Sequence, residues 1–150
     1  MTRQPLSVLF LCTGNSARSQ LAEVILRHTS TGRVQVASAG SVPQAEIHPM
    51  ARIAARELLN VEMEGQYPKL LDEFLGQRFD YVITVCDRAA ESCPIFSGAP
   101  ERLHWNVEDP AAVQGGDEER QRAFDNVARA LLGRVRLWMA LPAVSARLSR

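Results

Sequence analysis

Hydrophobic and polar positions along the chain predict strands and helices in regular alternation. Four apolar runs are typical of strands, at about 6–11, 34–37, 79–85 and 102–105. Apolar positions with helical spacing predict helices, at about 19–29, from His48-Pro49 onward, after Pro68 and at 117–139. The small residues at 38–41 predict a loop. This alternation predicts an α/β fold, a single three-layer domain over residues 1–150 whose central parallel sheet of about four strands has helices on both faces.

Composition narrows the functional classes. The chain has 150 residues, 46% of them hydrophobic, which is enough for one compact core. Its 17 basic and 17 acidic residues balance, so no large positive field favours nucleic acid as a partner. We find neither an apolar run that could span a bilayer nor a cleavable leader, and therefore expect a cytoplasmic protein that does not bind membranes. A chain of this size and balance is expected to be a monomer.

The segment after the first strand is the best candidate for chemistry. Cys12 ends the strand, residues 13–17 are small or polar, and Arg18 follows at the start of the first predicted helix. Such a loop can curl so that its backbone N–H groups point inward, and the helix adds its positive end. The same field favours a thiolate, and the Arg18 guanidinium can bind two oxygens of a tetrahedral oxyanion. We therefore predict an oxyanion site with Cys12 as nucleophile.

Two further cysteines follow another predicted strand. The carboxyl ends of parallel strands meet at one edge of a sheet, so Cys86 is expected at the same edge as Cys12. Cys86 and Cys93 are seven positions apart, which on a helix puts their sulfurs on one face about 10 Å apart. A bridge between them would require that helix to unwind. The alternative is two buried cysteines with no chemical role. The chain has no Cys-x-x-Cys pair, and its three histidines, His28, His48 and His104, are scattered, so the sequence does not suggest a metal site.

A carboxylic acid follows the last predicted strand. Asp109 precedes Pro110 in a stiffened loop, where it can protonate an oxygen that leaves a bound oxyanion. Asp-Pro is also an ordinary turn signal, so the candidate role depends on the cysteine loop being nearby.

Four motifs, in order along nearly the whole chain, resemble the thioredoxin-coupled arsenate reductases, which have the low-molecular-weight phosphotyrosine phosphatase fold. They are Cys-Thr-Gly-Asn-Ser-Ala-Arg-Ser at 12–19, Ala-Ser-Ala-Gly at 37–40, the segment from Cys86 to Cys93-Pro94, and His104-Trp105 leading to Glu108-Asp109-Pro110. The resemblance implies that fold and the reduction of arsenate to arsenite for arsenic detoxification, with phosphate or sulfate as substrate mimics.

The resemblance also implies a three-cysteine relay. Cys12 attacks arsenate while Asp109 protonates the leaving oxygen, and Ser19 matches the family's hydroxyl that donates to the thiolate. Cys86 then attacks Cys12 and releases arsenite, after which Cys93 attacks Cys86 and leaves a disulfide for thioredoxin to reduce. The implied oxyanion-binding residues are Thr13, Gly14, Asn15, Ser16, Ala17 and Arg18.

The chain departs from the family pattern at a cation site. Some members bind potassium through residues that match Asn15, Glu23 and Ser38, together with an acidic residue near positions 65–69. Here that stretch is Gly-Gln-Tyr-Pro-Lys, so potassium binding stays an open expectation, and we expect no tightly bound cofactor.

Other readings of the same residues stay open. A low-molecular-weight protein tyrosine phosphatase would use the same loop to hydrolyse phosphomonoesters through a Cys12 phosphoenzyme. Such phosphatases have aromatic residues after the Asp-Pro, where this chain has Ala111-Ala112, and they have no need of Cys86 and Cys93. A non-catalytic oxyanion-binding or redox-sensing module is the third reading. Among reductants, the cysteine pair favours thioredoxin over glutaredoxin or mycothiol.

Overall fold

A computed structural model describes residues 5 to 149, and in this range it has four strands. They are β1 Leu6–Cys12, β2 Val34–Gly40, β3 Tyr81–Thr84 and β4 Glu101–His104. The α-helices are α1 Arg18–Thr29, α2 Pro49–Leu59, α3 Asp87–Glu91, α4 Asp117–Met139 and α5 Pro142–Leu148. Two short 3-10 helices cover Leu71–Phe74 and Pro110–Ala112.

The strands form one parallel sheet in the order β2-β1-β3-β4. Residues on both faces of β1 are buried, since Val8 and Phe10 alternate with Leu9 and Leu11 and all four are at most 2% exposed. A central parallel strand covered on both faces explains why β1 is a continuous apolar run. The predicted α/β fold is confirmed. Because β1 and β3 are neighbours, Cys12 and Cys86 reach the same edge of the sheet.

Helices α1, α2 and α4 pack against one another. Their apolar stripes supply much of the core, and Leu21 and Ile25 of α1 are fully buried with Phe124 and Leu131 of α4. Between residues 5 and 149, no helix combines the length and apolar character needed to cross a bilayer.

Some boundaries differ from the prediction. Residues 38–40, predicted as loop, belong to β2, because small side chains there permit close backbone pairing with β1. β3 begins at Tyr81 rather than 79. Helix α5 was not predicted, although Val144 and Leu148 bury its inner face. Its seven residues are too few to give a clear period.

Candidate active site

The loop after β1 is shaped by its carbonyl groups. The carbonyl oxygens of residues 13 to 16 all accept hydrogen bonds from outside the loop, namely from the backbone N–H groups of Val42, Gln44 and His48 and from the side-chain amide of Gln20. In a planar trans peptide the N–H points opposite to the C=O. The next N–H groups along the loop therefore turn toward its centre, which is the arrangement an oxyanion cradle requires.

Asn15 fixes the conformation of this loop. It is fully buried with a left-handed φ of 48°, a conformation that asparagine tolerates better than most residues. Its amide nitrogen donates to Ser19 Oγ at 2.8 Å and Ser38 Oγ at 2.9 Å. Its amide oxygen accepts from Gln20 Nε2 at 3.0 Å and from the Lys69 backbone N–H at 2.8 Å. Four hydrogen bonds thus stabilise a backbone conformation that is unfavourable on its own.

Gly40 lets β2 approach the loop. It pairs in register with Cys12, and a Cβ at this position would lie 2.3 Å from the carbonyl oxygen of Thr13. Backbone cannot yield to that contact as a flexible side chain would. The glycine at the end of the Ala-Ser-Ala-Gly motif is therefore required by the packing of the loop.

Cys12 and Cys86 meet beneath the cradle. Both are buried, and the pKa of each thiol depends on the other. The Cys86 sulfur also accepts the Ala89 N–H at 3.4 Å and lies 3.5 Å from Thr13 Oγ1. Cys86 is the N-cap residue of α3, so the helix start adds to the field at this sulfur.

The two thiols titrate as a coupled pair. Hydrogen bonding with Cys12 lowers the pKa of Cys86 to about 5. Hydrogen bonding with Cys86, together with burial, raises the pKa of Cys12, while Ser19 and Arg18 act in the opposite direction. The pair therefore carries one proton and one negative charge at neutral pH. Transfer of that proton from Cys12 to Cys86 makes Cys12 the thiolate at the floor of the cradle.

Arg18 and Asp109 lie at the mouth of the cradle. Arg18 Nη1 donates to the Val107 carbonyl at 3.0 Å, and Nη2 lies 4.0 Å from Asp109 Oδ2. Asp109 Oδ1 accepts the Ala111 N–H at 3.0 Å, which orients the carboxyl group. These residues line an open pocket of about 600 Å³ that also includes Cys12.

Cys93 is far from Cys12 in sequence but lines the same small cavity. Helix α3 spans only Asp87–Glu91, so the prediction of Cys86 and Cys93 on one helical face is wrong. The reason is that Pro94 follows immediately and disfavours helix in the residue before it. Cys93 is half-buried, which raises its pKa, and it lines a small cavity together with Cys12.

Sequence reasoning missed several residues at this edge. His104 Nε2 lies 3.0 Å from Asp87 Oδ1 and Nδ1 lies 2.8 Å from Thr84 Oγ1, so His104 ties the first residue of α3 to β3. His48 and Arg88 line the pocket. His48 precedes Pro49 at a helix start, and Arg88 and His104 lie within motifs of the resemblance. No local pattern gives them a role, because only the folded sheet edge brings them to the site.

The residues that the resemblance assigns to potassium do lie together. Glu23 is buried, and its Oε1 accepts Ser38 Oγ at 2.6 Å while Oε2 accepts Arg27 Nη2 at 2.5 Å. The Lys69 ammonium lies 3.7 Å from Glu23 Oε1, and the Asn15 oxygen is already engaged. These residues do not fit a metal ion, because it would meet two cations beside one carboxylate. Among the residues from 5 to 149, no group of three or more His, Cys, Asp or Glu side chains could hold one elsewhere.

Comparison with known proteins places this site in a class. The family profile described as low molecular weight phosphotyrosine protein phosphatase matches residues 7–148. The chain belongs to this family.

Within that family, the chain is similar to several arsenate reductases. The arsenate reductase of Halalkalibacterium halodurans is 38% identical over 120 residues, which are 80% of this chain and 85% of that protein. Among solved structures, an arsenate reductase in the phosphate-binding state has a TM-score of 0.75 at 27% identity, covering 90% of this chain and 97% of its own. The thioredoxin-dependent arsenate reductase of Corynebacterium glutamicum has a TM-score of 0.64 at 32% identity, covering 91% of this chain and 65% of its own. The resemblance drawn from the motifs is confirmed.

Proposed function

We propose that the protein reduces arsenate to arsenite with Cys12, Cys86 and Cys93 as a relay, and that thioredoxin regenerates it. The observation that carries the proposal is a pair of free, buried cysteines beside the oxyanion cradle: Cys12 ends β1, and the Cys86 sulfur lies 3.5 Å from Oγ1 of Thr13, the next residue. A hydrolytic enzyme needs only one of these sulfurs. A second sulfur in contact with the first can take part in electron transfer through a disulfide.

The first step forms a bond between sulfur and arsenic. Arsenate enters the cradle, where inward N–H groups and Arg18 bind its oxygens, and Cys12 transfers its proton to Cys86. The Cys12 thiolate attacks arsenic(V), a sulfur–arsenic bond forms and one arsenic–oxygen bond breaks. Asp109 protonates the departing oxygen, which leaves as water.

The second step transfers two electrons to arsenic. The Cys86 thiol loses its proton and its sulfur attacks Cys12. The Cys12–Cys86 disulfide forms as the sulfur–arsenic bond breaks, and the electron pair of that bond stays on arsenic. Arsenic(V) becomes arsenic(III), the two thiolates become a disulfide, and arsenite takes up protons as it leaves.

The third step moves the disulfide outward. The Cys93 thiolate attacks Cys86, which forms a Cys86–Cys93 disulfide and returns Cys12 as a thiolate. For this to happen, Cys86 must give up its capping contact with Ala89. Helix α3 has five residues, too few for stability on its own, so little has to be lost when it opens. The dithiol of thioredoxin then reduces the new bridge.

Phosphomonoester hydrolysis is the second candidate, because the same cradle, Cys12 and Asp109 would serve it. The pocket argues against a phosphotyrosine substrate. Among residues 5 to 149, its lining contains no phenylalanine, tyrosine or tryptophan, and Ala111 follows the Asp-Pro turn. A phenol ring would find only the His48 imidazole to stack on.

A coupled assay tests the proposal. The protein is supplied with arsenate, thioredoxin, thioredoxin reductase and NADPH, and NADPH consumption is followed. The wild type should turn over continuously. Cys93→Ser should form about one equivalent of arsenite from its own thiols and then stop without consuming NADPH, because thioredoxin cannot reach its buried Cys12–Cys86 disulfide. The matched control Ser92→Ala should retain wild-type turnover. Sustained turnover by Cys93→Ser would contradict the relay. Rapid aryl-phosphate hydrolysis without arsenate reduction would favour the phosphatase.

A further inference from the structure

The chain contains a single lysine, Lys69, among its 17 basic residues. That lysine lies inside the protein, with its side chain 11% exposed, and burial lowers its pKa. Sixteen positions have the planar guanidinium of arginine, and the one compact ammonium lies beside the buried network of the cradle. Arginine and lysine are not interchangeable where a small point charge is needed.

The surroundings of this ammonium are those of a small bound cation. Lys69 Nζ donates to the Tyr67 carbonyl at 2.7 Å and lies 3.7 Å from Glu23 Oε1. It also lies 4.9 Å from the centroid of the Tyr67 ring. A carbonyl, a carboxylate and an aromatic face all favour a positive charge. The covalent ammonium therefore occupies the place beside Glu23 where a free ion would have to bind.

Hydrogen bonds run from this carboxylate to the nucleophile in one direction. A carboxylate only accepts, so Ser38 must donate to Glu23 and accept from Asn15. The second hydrogen of the Asn15 amide goes to Ser19 Oγ. The Ser19 hydroxyl then has its own hydrogen left to donate to Cys12, where it favours the thiolate.

We propose that the Lys69 ammonium is a built-in substitute for the potassium ion of related proteins, that the protein therefore needs no monovalent metal ion, and that Lys69 is a positioning residue for Cys12. Two cations flank the buried Glu23 carboxylate: Arg27 bonds Oε2, and the Lys69 ammonium is the charge on the Oε1 side, where Ser38 also donates. That carboxylate orients the chain of donors through Ser38 and Asn15. The effect on arsenate turnover rests on the proposed function, whereas the effects on folding and on Cys12 reactivity do not.

Two substitutions separate the effect of the Lys69 charge from the effect of its side-chain volume. Lys69→Ala removes the ammonium and opens room beside Glu23, while Lys69→Met removes the charge but fills the same space. Each variant and the wild type are compared in potassium chloride and in tetramethylammonium chloride at equal ionic strength, since tetramethylammonium is too large for this place. The readouts are the midpoint of thermal unfolding, the rate of Cys12 alkylation by iodoacetamide, and arsenate turnover.

The wild type should give the same values in both salts. In tetramethylammonium, Lys69→Ala should unfold roughly 2–4 °C lower, because it removes one of the two cations beside the buried Glu23 carboxylate and leaves only Arg27. Its Cys12 alkylation and turnover should fall roughly ten- to a hundredfold, as when a supporting residue of a site is lost. Potassium should restore much of each loss in Lys69→Ala and none in Lys69→Met.

Three results would overturn the inference: a wild type that gains stability or reactivity from potassium, a Lys69→Ala variant that matches the wild type in tetramethylammonium, or a Lys69→Ala variant that potassium does not restore. Absence of arsenate turnover in every variant, with the unfolding and alkylation patterns as expected, would instead refute the proposed function and leave Lys69 as the cation substitute.

Discussion

Replacing Asn15 by alanine is expected to destabilise the protein by about 5 kcal/mol. The residue is fully buried at φ 48° and its side chain makes four hydrogen bonds. Each such bond contributes about 1 kcal/mol net. Alanine in the left-handed region adds about 1 to 2 kcal/mol, since its Cβ meets the backbone there.

Asn60 provides a matched control for the backbone part. It is also left-handed, at φ 54°, but it is exposed at the end of α2 and its side chain supports no buried network. Asn60→Ala should therefore cost only about 1 to 2 kcal/mol. The difference between the two variants isolates the four hydrogen bonds of Asn15, at about 4 kcal/mol.

Equilibrium unfolding in urea, under reducing conditions, measures both variants. A domain whose stability is about 10 kcal/mol would still fold after a loss of about 5 kcal/mol. Asn15→Gly provides a milder second variant, because it loses the same hydrogen bonds but tolerates the left-handed conformation. It should fall between Asn15→Ala and the wild type. If Asn15→Ala costs no more than Asn60→Ala, the buried amide does not fix the loop and the reasoning is refuted.

Three further predictions concern the same site. Replacing Cys12 by alanine removes the main cause of the low Cys86 pKa. In the wild type the thiolate absorbance of Cys86 should appear as pH rises through about 5, and in the variant this midpoint should move to higher pH. An unchanged midpoint would contradict the pairing of the two thiols. Gly40→Ala should lower the unfolding midpoint and weaken phosphate binding measured by calorimetry, because its Cβ would lie 2.3 Å from the Thr13 oxygen; retention of both would refute the close approach. Asp109→Asn keeps an oxygen that can accept the Ala111 N–H, but it has no acidic proton to give to the leaving oxygen. Single-turnover reduction of arsenate should therefore slow by about 10²–10⁴-fold while phosphate affinity changes little. Full-rate reduction would exclude Asp109 as the acid.

Local patterns were enough to predict much of this fold. The apolar run of β1 is buried on both faces as a central parallel strand must be, and the helical spacing of apolar residues in α4 matches a helix that packs on the core from Phe124 to Trp138. Short elements were less predictable. Helix α5 and the extension of β2 through residues 38–40 depend on tertiary packing, because their composition alone is that of a loop or a tail.

Some features of the candidate site could also be predicted from local sequence, whereas others depend on the folded structure. The loop from Cys12 to Arg18 and the placing of Cys86 at the same edge followed from sequence and the rule for parallel strands. The contact between the two sulfurs and the place of Cys93 did not, because they depend on where α3 ends. The proposed role of Lys69 could not be predicted for a related reason. The sequence shows only that positions 65–69 lack the acidic residue of the family pattern, and the fold is needed to show that the Lys69 ammonium lies beside Glu23.

The most direct test of the relay is to locate the disulfide after one turnover. The reduced protein is given arsenate without thioredoxin, quenched in acid with an alkylating agent, digested and analysed by mass spectrometry. A sample treated with phosphate in place of arsenate serves as the control and should stay reduced. The account predicts a Cys86–Cys93 bridge in the wild type and a Cys12–Cys86 bridge in Cys93→Ser. Three alkylated cysteines in the wild type after arsenite has formed would contradict it.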